Sequence, residues 1–335
     1  MEIQQNISLK PYNTFGIDVK AKQFVTVKNV DDLKSILSNN KEKLLIIGGG
    51  SNLLFTKDFN GLVVNNQLKG IEVLSEDEEF IYLKVAAGEV WHNFVLHCVD
   101  SNYAGIENMS LIPGSVGAAP MQNIGAYGAE VKDVITEVEA LALNDFSIKT
   151  FKNKVCEFGY RTSIFKTSHK NNYFITAVSF KLAKKATLNT SYGAIENELK
   201  VMGIDSPTIK DVSDAVISIR SSKLPDPKKI GNSGSFFKNP VVSEMLKNNI
   251  AKKYPNVPNY IQPNGEFKIA AGWLIEQCGW KGKVIGAYGV HKLQALVLVN
   301  YGGATGSEIF SLSEQIITSV KDKFEITLER EVNIV

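Results

Sequence analysis

The chain has 335 residues, 44% of them hydrophobic, and a formal net charge of +2. That composition is globular and excludes general disorder, and so small a net charge excludes a nonspecific pull toward nucleic acid. No run of about 18 apolar residues occurs, so no membrane-spanning helix is expected, and Met1-Glu2-Ile3-Gln4-Gln5-Asn6 lacks the basic and apolar regions of a signal peptide. Cys98, Cys156 and Cys278 are odd in number and form no CxxC pair, so neither a disulfide framework nor a zinc site is expected and a reducing cytoplasm fits. His92, His97, His169 and His291 are scattered without ligand spacing, and no metal site is expected.

Residues 16–70 read as a small α/β unit. Gln23-Phe24-Val25-Thr26-Val27 alternates as a strand does. Asn29-Val30-Asp31-Asp32-Leu33 opens a helix with Leu33, Ile36 and Leu37 on one face. Leu44-Leu45-Ile46-Ile47 is a buried strand that runs into Gly48, and Gly61-Leu62-Val63-Val64-Asn65 is another. Beyond Gly70 the pattern changes to an α+β region. Strands are expected at 80–87, 134–143, 174–182 and 215–220, and a helix at 90–99.

Leu224-Pro225-Asp226-Pro227 marks a domain boundary, because two prolines in three residues fix an extended linker. In the region beyond it, Thr305-Gly306-Ser307-Glu308 matches a capping box, and Ile309, Leu312, Ile316, Val320 and Phe324 form one helical face. Residues 325–335 read as a terminal strand, with Ile326, Leu328, Val332 and Ile334 on one face and Thr327, Glu329 and Glu331 on the other.

The most informative segment is Pro113-Gly114-Ser115-Val116-Gly117-Ala118-Ala119-Pro120-Met121-Gln122-Asn123-Ile124-Gly125-Ala126-Tyr127-Gly128, with four glycines and two prolines in sixteen residues. Its few large apolar side chains follow no period. It is suited to lay bare backbone against a flat polar group, since glycine removes the Cβ obstacle. Gly48-Gly49-Gly50-Ser51-Asn52 is a second segment of this kind. Alone it reads equally as a tight turn, and it fails the GxGxxG template because Leu53 stands where the third glycine belongs. Together the two segments point to a large phosphate-bearing cofactor, since a small anion needs only one cradle.

Other residues keep two readings at this level. Arg161, in Gly159-Tyr160-Arg161-Thr162-Ser163, is either a surface arginine in a turn or a fixed guanidinium for developing negative charge. Ser235, in Gly234-Ser235-Phe236-Phe237-Lys238-Asn239-Pro240, is either an exposed serine on an anchored loop or a proton donor to a carbanion. A serine hydrolase is disfavoured, because no GxSxG elbow is present. Glu329 cannot be told from Glu331 by period alone. Lys223, Tyr192 in Ser191-Tyr192-Gly193, and Gln294 in a mostly apolar strand are each either surface residues or ligand contacts.

Taken together the motifs resemble the UDP-N-acetylenolpyruvoylglucosamine reductase (MurB) family over nearly the whole chain. The resemblance rests on Ile47-Gly48-Gly49-Gly50-Ser51-Asn52-Leu53-Leu54, the 113–128 loop, Gly159-Tyr160-Arg161, Lys223-Leu224-Pro225-Asp226-Pro227 and Gly234-Ser235-Phe236-Phe237-Lys238-Asn239-Pro240. Ala271-Gly272-Trp273-Leu274-Ile275-Glu276, Gln294-Ala295-Leu296-Val297-Leu298-Val299-Asn300 and Leu328-Glu329-Arg330-Glu331-Val332 complete it. The Ser191-Tyr192-Gly193 segment and the insert before Gln294 match the longer, tyrosine-loop subtype. Thr162 stands where many relatives carry aspartate, Arg330 where many carry proline, and Ser233 where alanine is common.

The resemblance implies an α+β protein with a vanillyl-alcohol-oxidase/PCMH-type FAD-binding fold of two subdomains plus an α+β substrate-binding C-terminal domain. The implied division is 1–69, joined by residues near 331–335, then 70–224, then 225–330. Gly48, Gly49, Gly50, Ser51, Asn52, Pro113, Gly114, Ser115, Gly117, Asn123, Gly125, Ala126 and Arg161 would hold FAD. Tyr127, Tyr192, Lys223, Asn239 and Gln294 would meet the substrate. The implied reaction passes a hydride from NADPH through the flavin to the enolpyruvyl ether of UDP-N-acetylglucosamine, giving UDP-N-acetylmuramate for peptidoglycan. Arg161 and Glu329 would stabilise the enolate, Glu329 protonated or hydrogen-bonded, and Ser235 would protonate it. A cytoplasmic monomer with no nucleic-acid or membrane partner is expected. Two alternatives stand beside this reading: another flavin oxidoreductase of the same fold, or a nucleotide-sugar-binding protein without catalysis.

Overall fold

The computed structural model describes residues 2–335, and the chain divides into two compact units. The first takes the residues up to Ile7, Ala21–Gly49 and Asn60–Ser222. The second takes Ser8–Lys20, Gly50–Phe59 and Lys223–Val335. Residues 8–20 and 50–59, placed by the sequence in the first FAD-binding subdomain, therefore belong to the second unit. The chain passes from one unit to the other between Gly49 and Gly50.

The first unit holds two sheets. One orders its strands Gln4–Ser8, Lys20–Val27, Phe59–Asn66 and Leu44–Ile47, the last two running parallel. Helix α1, Val30–Asn39, is capped by Asn29, whose side chain accepts from Asp32 N at 2.8 Å. It buries Leu33 and Leu37 against Val25, Val27, Leu62 and Val64. The other sheet orders Ile148–Lys152, Ile135–Ala142, Tyr173–Ala183, Phe80–Ala86 and Ile71–Glu76, all neighbours antiparallel. Helix α2, Trp91–Asp100, closes one face of it with Trp91, Phe94, Val95 and Cys98 against Leu83, Val85 and Phe180. The buried Trp91 indole donates to Met109 O at 3.0 Å, so its polar edge is satisfied.

The segment read as a strand over 215–220 is instead the last part of a helix. Helix α3, Gly193–Val201, and helix α4, Ile209–Lys223, share a small core of Ile195, Leu199, Val212, Ala215, Val216 and Ile219. Burial at 209, 212, 213, 216 and 219 has helical spacing, and tertiary packing overrides the β-branched residues there.

In the second unit, Val241–Val242, Phe267–Ile269 and Asn259–Ile261 form one antiparallel sheet, and Val284–Ile285, Tyr288–Val290 and Leu298–Asn300 form another. Helices α5, Glu244–Lys253, and α6, Ala271–Gln277, accompany them. Helix α7, Gly306–Phe324, starts on the Thr305–Glu308 capping box and buries Ile309, Leu312, Ile316, Val320 and Phe324, the face read from the sequence. The terminal segment is not one long strand. Glu325 ends α7 in a left-handed conformation at φ 60°, and only Asn333–Ile334 pairs as a strand, parallel to Leu53–Leu54. Ile326, Leu328 and Val332 are buried as expected, whereas Ile334 is exposed. Gln294 likewise precedes the strand Leu298–Asn300 rather than lying in it. Among the described residues, no helix is long and apolar enough to cross a membrane, and no group of three or more His, Cys, Asp and Glu side chains is placed to hold a metal ion.

Candidate active site

In the first unit the two glycine loops meet. The strand Leu44–Ile47 ends at Gly48, where a Cβ would overlap Ser115 Oγ and lie 3.1 Å from Ser115 Cβ. A Cβ on Gly49 would stand 3.5 Å from Gly114 Cα. The second loop is tied to the start of α2: Trp91 N donates to Gly114 O at 3.0 Å, and Val90 bridges Ser115. Gly117 N donates to Ala87 O at 2.9 Å, and a Cβ on Gly117 would lie 2.5 Å from Ala87 Cβ. Glycine thus lets the two segments approach closely, Gly49 against the Gly114 backbone and Gly48 against the Ser115 side chain, which leaves main chain free of side chains as a phosphate cradle requires. Pro113 is exposed and Ser115 buried.

The loop then turns back on Arg161. Asn123, fully buried at φ 47°, donates from Nδ2 to Gly159 O and Glu130 Oε2, each at 3.0 Å, and accepts from Lys132 N at 3.0 Å. Its side chain therefore locks the 113–128 loop to the 159–162 turn. In that turn Gly159 and Thr162 pair with each other, and Arg161 sits at φ 54°. Arg161 donates from Nη2 to Gly125 O at 2.8 Å, and its guanidinium lies 5.8 Å from the Tyr160 ring centroid. A backbone carbonyl of the glycine loop orients the arginine, although Thr162 offers no carboxylate. Ala126 is half-buried between Gly125 and Tyr127.

Tyr127 and Tyr192 meet edge to face, with ring centroids 5.4 Å apart. Tyr192 is the N-cap of α3, and Tyr127 packs on the α3–α4 core. Burial pushes the Tyr127 hydroxyl above its usual pKa, opposed by the Arg220 guanidinium that faces it. Arg220, on α4, is a residue that the sequence did not bring forward and that the structure sets beside the site residues Tyr127 and Arg161. Burial lowers its pKa. Thr208-Ile209-Lys210-Asp211 carried the signal, since Thr208 Oγ1 accepts from Asp211 N at 3.3 Å while Asp211 accepts from Thr208 N at 2.8 Å. Reading that cap would have made 215–220 helical and turned Arg220 toward the loop. Lys223 is exposed at the end of α4.

The second unit holds the rest. Gly50, at φ 62°, accepts from Thr14 N at 3.1 Å, and a Cβ there would overlap Tyr12 O. Ser51 is half-buried, and Asn52 O accepts from Asn333 N at 3.1 Å. Ser235 lies on an extended segment whose anchors are Phe236 and Phe237, both buried, with centroids 5.3 Å apart. Ser235 itself is exposed. It bridges Val297, and Phe236 N donates to Leu296 O at 2.7 Å. The segment with Glu329 runs antiparallel beside it: Phe237 bridges Arg330, Lys238 N donates to Glu329 O, and Glu331 N donates to Phe236 O, both at 2.9 Å. Lys238 Nζ pairs with Glu329 Oε2 at 2.9 Å, so Glu329 is a hydrogen-bonded carboxylate. Arg330 fixes this segment to α7 through Ser313 Oγ at 2.9 Å and through Glu314. Asn239 Oδ1 accepts from Ala271 N at 2.9 Å at the start of α6, and Gln294 Oε1 accepts from Leu296 N at 3.3 Å. Arg161 belongs to the first unit, Ser235 and Glu329 to the second. Burial raises the pKa of the Cys98 and Cys156 thiols, that of Cys156 to about 11.

A parallel strand ending in bare glycine backbone that meets a second glycine loop, without the GxGxxG turn, has the form of a phosphate cradle outside the Rossmann class. Comparisons agree. A family model of the FAD binding domain matches residues 21–146, and one described as UDP-N-acetylenolpyruvoylglucosamine reductase, C-terminal domain, matches 226–335. Proteins named UDP-N-acetylenolpyruvoylglucosamine reductase from Flavobacterium johnsoniae and Amoebophilus asiaticus are 54% and 50% identical to the chain, each alignment spanning all of both chains. The one from Pseudomonas syringae pv. syringae is 48% identical over 100% of this chain and 99% of its own. The crystal structure of the reductase from Thermus caldophilus shares the fold at 23% identity, TM-score 0.68, covering 100% of this chain and 99% of that one. The chain belongs to the UDP-N-acetylenolpyruvoylglucosamine reductase family, which sets aside both alternative readings. Its cofactor is FAD, and the glycine cradle of the first unit fits that group.

Proposed function

We propose that Arg161, Ser235 and Glu329 carry out, with FAD, the NADPH-dependent reduction of UDP-N-acetylglucosamine enolpyruvate to UDP-N-acetylmuramate, a step in making peptidoglycan precursors. FAD, when bound, would supply the hydride chemistry, with NADPH as the source and the vinyl carbon distal to the ether oxygen as the acceptor. The carbanion this leaves is delocalised onto the substrate carboxylate as an enolate. Arg161, held by Gly125 O, supplies a fixed positive charge for it. The Ser235 hydroxyl donates the proton to the carbon bearing the ether oxygen. Serine is a weak acid, so this step needs the strongly basic enol carbon as its acceptor. Lys238 offsets the charge of Glu329, so an arriving substrate carboxylate meets a balanced pair instead of a bare anion.

Lys223 offers the counter-charge for the diphosphate. Tyr127 and Tyr192 offer an aromatic wall, and the amides of Asn239 and Gln294, their oxygens fixed by Ala271 and Leu296, offer donors to the sugar. Gly48, Gly49, Gly114, Ser115 and Gly117 form the pyrophosphate cradle, with Gly50, Ser51, Asn52, Pro113, Asn123, Gly125 and Ala126 completing the cofactor-binding segments. The enzyme acts as a cytoplasmic monomer, which light scattering of the purified protein tests.

The meeting of the two glycine loops carries this reading, because it supports a dinucleotide and not a lone anion. The test is an anaerobic absorption spectrum. NADPH should bleach the flavin bands, and the enolpyruvyl substrate should restore them without oxygen. Bands that return only when oxygen is admitted would identify an oxidase.

A further inference from the structure

Leu111 is a leucine at φ 57°. A bulky apolar residue enters this left-handed region only where its surroundings force it. Two side chains do so here. The Leu111 amide donates to His92 Nδ1 at 2.9 Å, and the Leu111 carbonyl accepts from Arg220 Nε at 3.3 Å. His92 lies in the first turn of α2 and Arg220 in the last turn of α4, so one strained peptide is gripped from two helices. Helix α4 is pinned to the same stretch by Ser213 Oγ and Ser110 Oγ, 2.8 Å apart and both fully buried.

The clamp stands directly before the cradle. Pro113 follows two residues later, and Gly114 O accepts from Trp91 N, the residue adjoining His92. The direction of the chain at Leu111 therefore sets where the backbone of residues 113–117 lies. His92 accepts through Nδ1, so its ring proton is on Nε2. Burial and the nearby Arg220 charge hold its pKa below the usual histidine value, which preserves that lone pair. Arg220 is held from its other side by a side-chain hydrogen bond with Tyr127, while its Nε donates to Leu111 O.

We propose that His92 and Arg220 are positioning residues for the FAD pyrophosphate loop, acting through the strained Leu111 backbone that they clamp from either side. The proposal rests on the reading of residues 113–117 as part of the cofactor cradle.

The test is an FAD titration of the full chain stripped of flavin, followed by flavin fluorescence, with far-UV circular dichroism as the check on folding. His92→Ala should weaken FAD binding about tenfold, and Arg220→Met should do the same. His92→Asn, whose Oδ1 stands near the Nδ1 position, should keep most of the affinity. The deciding variant adds Leu111→Gly to His92→Ala. Glycine takes φ 57° without strain, so affinity should return to within about threefold of the parent. A generally structural histidine predicts no such recovery. Unchanged affinity in His92→Ala, or no recovery on adding Leu111→Gly, overturns the clamp. Gly114→Ala, at φ 117°, separates the two readings. If it leaves FAD binding intact, the cradle assignment fails and the clamp with it. If it releases FAD while His92→Ala does not, the clamp alone fails.

Discussion

Gly48 and Ser115 stand so close that a methyl group on the glycine would overlap the serine hydroxyl and lie 3.1 Å from its Cβ. The glycine just past the half-buried strand Leu44–Ile47 is thereby matched to a residue in a loop that the sequence places far downstream. Neither position tolerates growth in the other's direction, and the matched pair keeps two stretches of bare backbone together.

Gly48→Ala should weaken FAD binding by roughly tenfold or more, the scale of an overpacked contact of about 1–3 kcal/mol. Ser115→Ala removes the overlapping hydroxyl, so the double variant should recover part of the loss. A double-mutant cycle on FAD affinity reads the coupling directly. Strictly additive effects would mean the two loops do not constrain each other.

His92 gives the first unit a pH dependence of known sign. Its folded pKa lies below the ordinary histidine value of about 6.5, through burial first and the Arg220 charge of α4 second. The unfolded chain therefore binds the proton more readily than the folded one. The stabilisation is fully present above about pH 6.5 and is lost as the pH falls below it toward the folded pKa. Urea midpoints measured at about pH 7.5 and 5.5 should fall more for the parent than for His92→Asn, which has nothing to titrate there. Equal drops would assign the acid sensitivity to other groups.

Much of this was legible in the chain. The two glycine segments stood out because they follow neither a helical nor a strand period, and they meet. The α7 face was legible because nineteen residues sample several turns under a clear cap. The helix α4 was not, since Val216, Ile217 and Ile219 are β-branched and six residues cannot separate period 3.6 from a buried strand. Missing the helix also hid Arg220. The membership of residues 8–20 and 50–59 in the second unit was equally hidden. It depends on pairings such as Leu53–Leu54 with Asn333–Ile334, which lie nearly a whole chain apart and leave no local mark. Glu329 could not be told from Glu331 by strand period, and only the family resemblance singled it out.

Ser235→Ala should divide the reaction into its halves. The serine is exposed on a loop whose stability comes from Phe236 and Phe237, so the fold should tolerate the change. Flavin reduction by NADPH should stay within about twofold of the parent. Reoxidation by the enolpyruvyl substrate should slow by about 10²–10⁴-fold, the range for loss of a general acid. Stopped-flow absorbance under argon measures both rates. Equal loss in both would remove Ser235 from the proton transfer.

Lys238→Met tests whether the Lys238–Glu329 pair is structural or chemical. The Glu329 side chain is 74% exposed and that of Lys238 22%, and an ion pair so open to solvent adds little to stability. The urea midpoint should therefore barely move. Glu329, however, loses the charge that offsets its own, so a substrate carboxylate meets a bare anion. The KM for the enolpyruvyl substrate should rise about tenfold or more, while KM for NADPH and the rate of flavin reduction stay near those of the parent. Glu329→Gln should then separate charge from hydrogen bonding. Combined with Lys238→Met it removes the repulsion, so the double variant should regain substrate affinity even if turnover stays low. A midpoint that collapses on Lys238→Met with unchanged KM would make the pair a strut for the 329–331 segment and leave Glu329 without a part in binding.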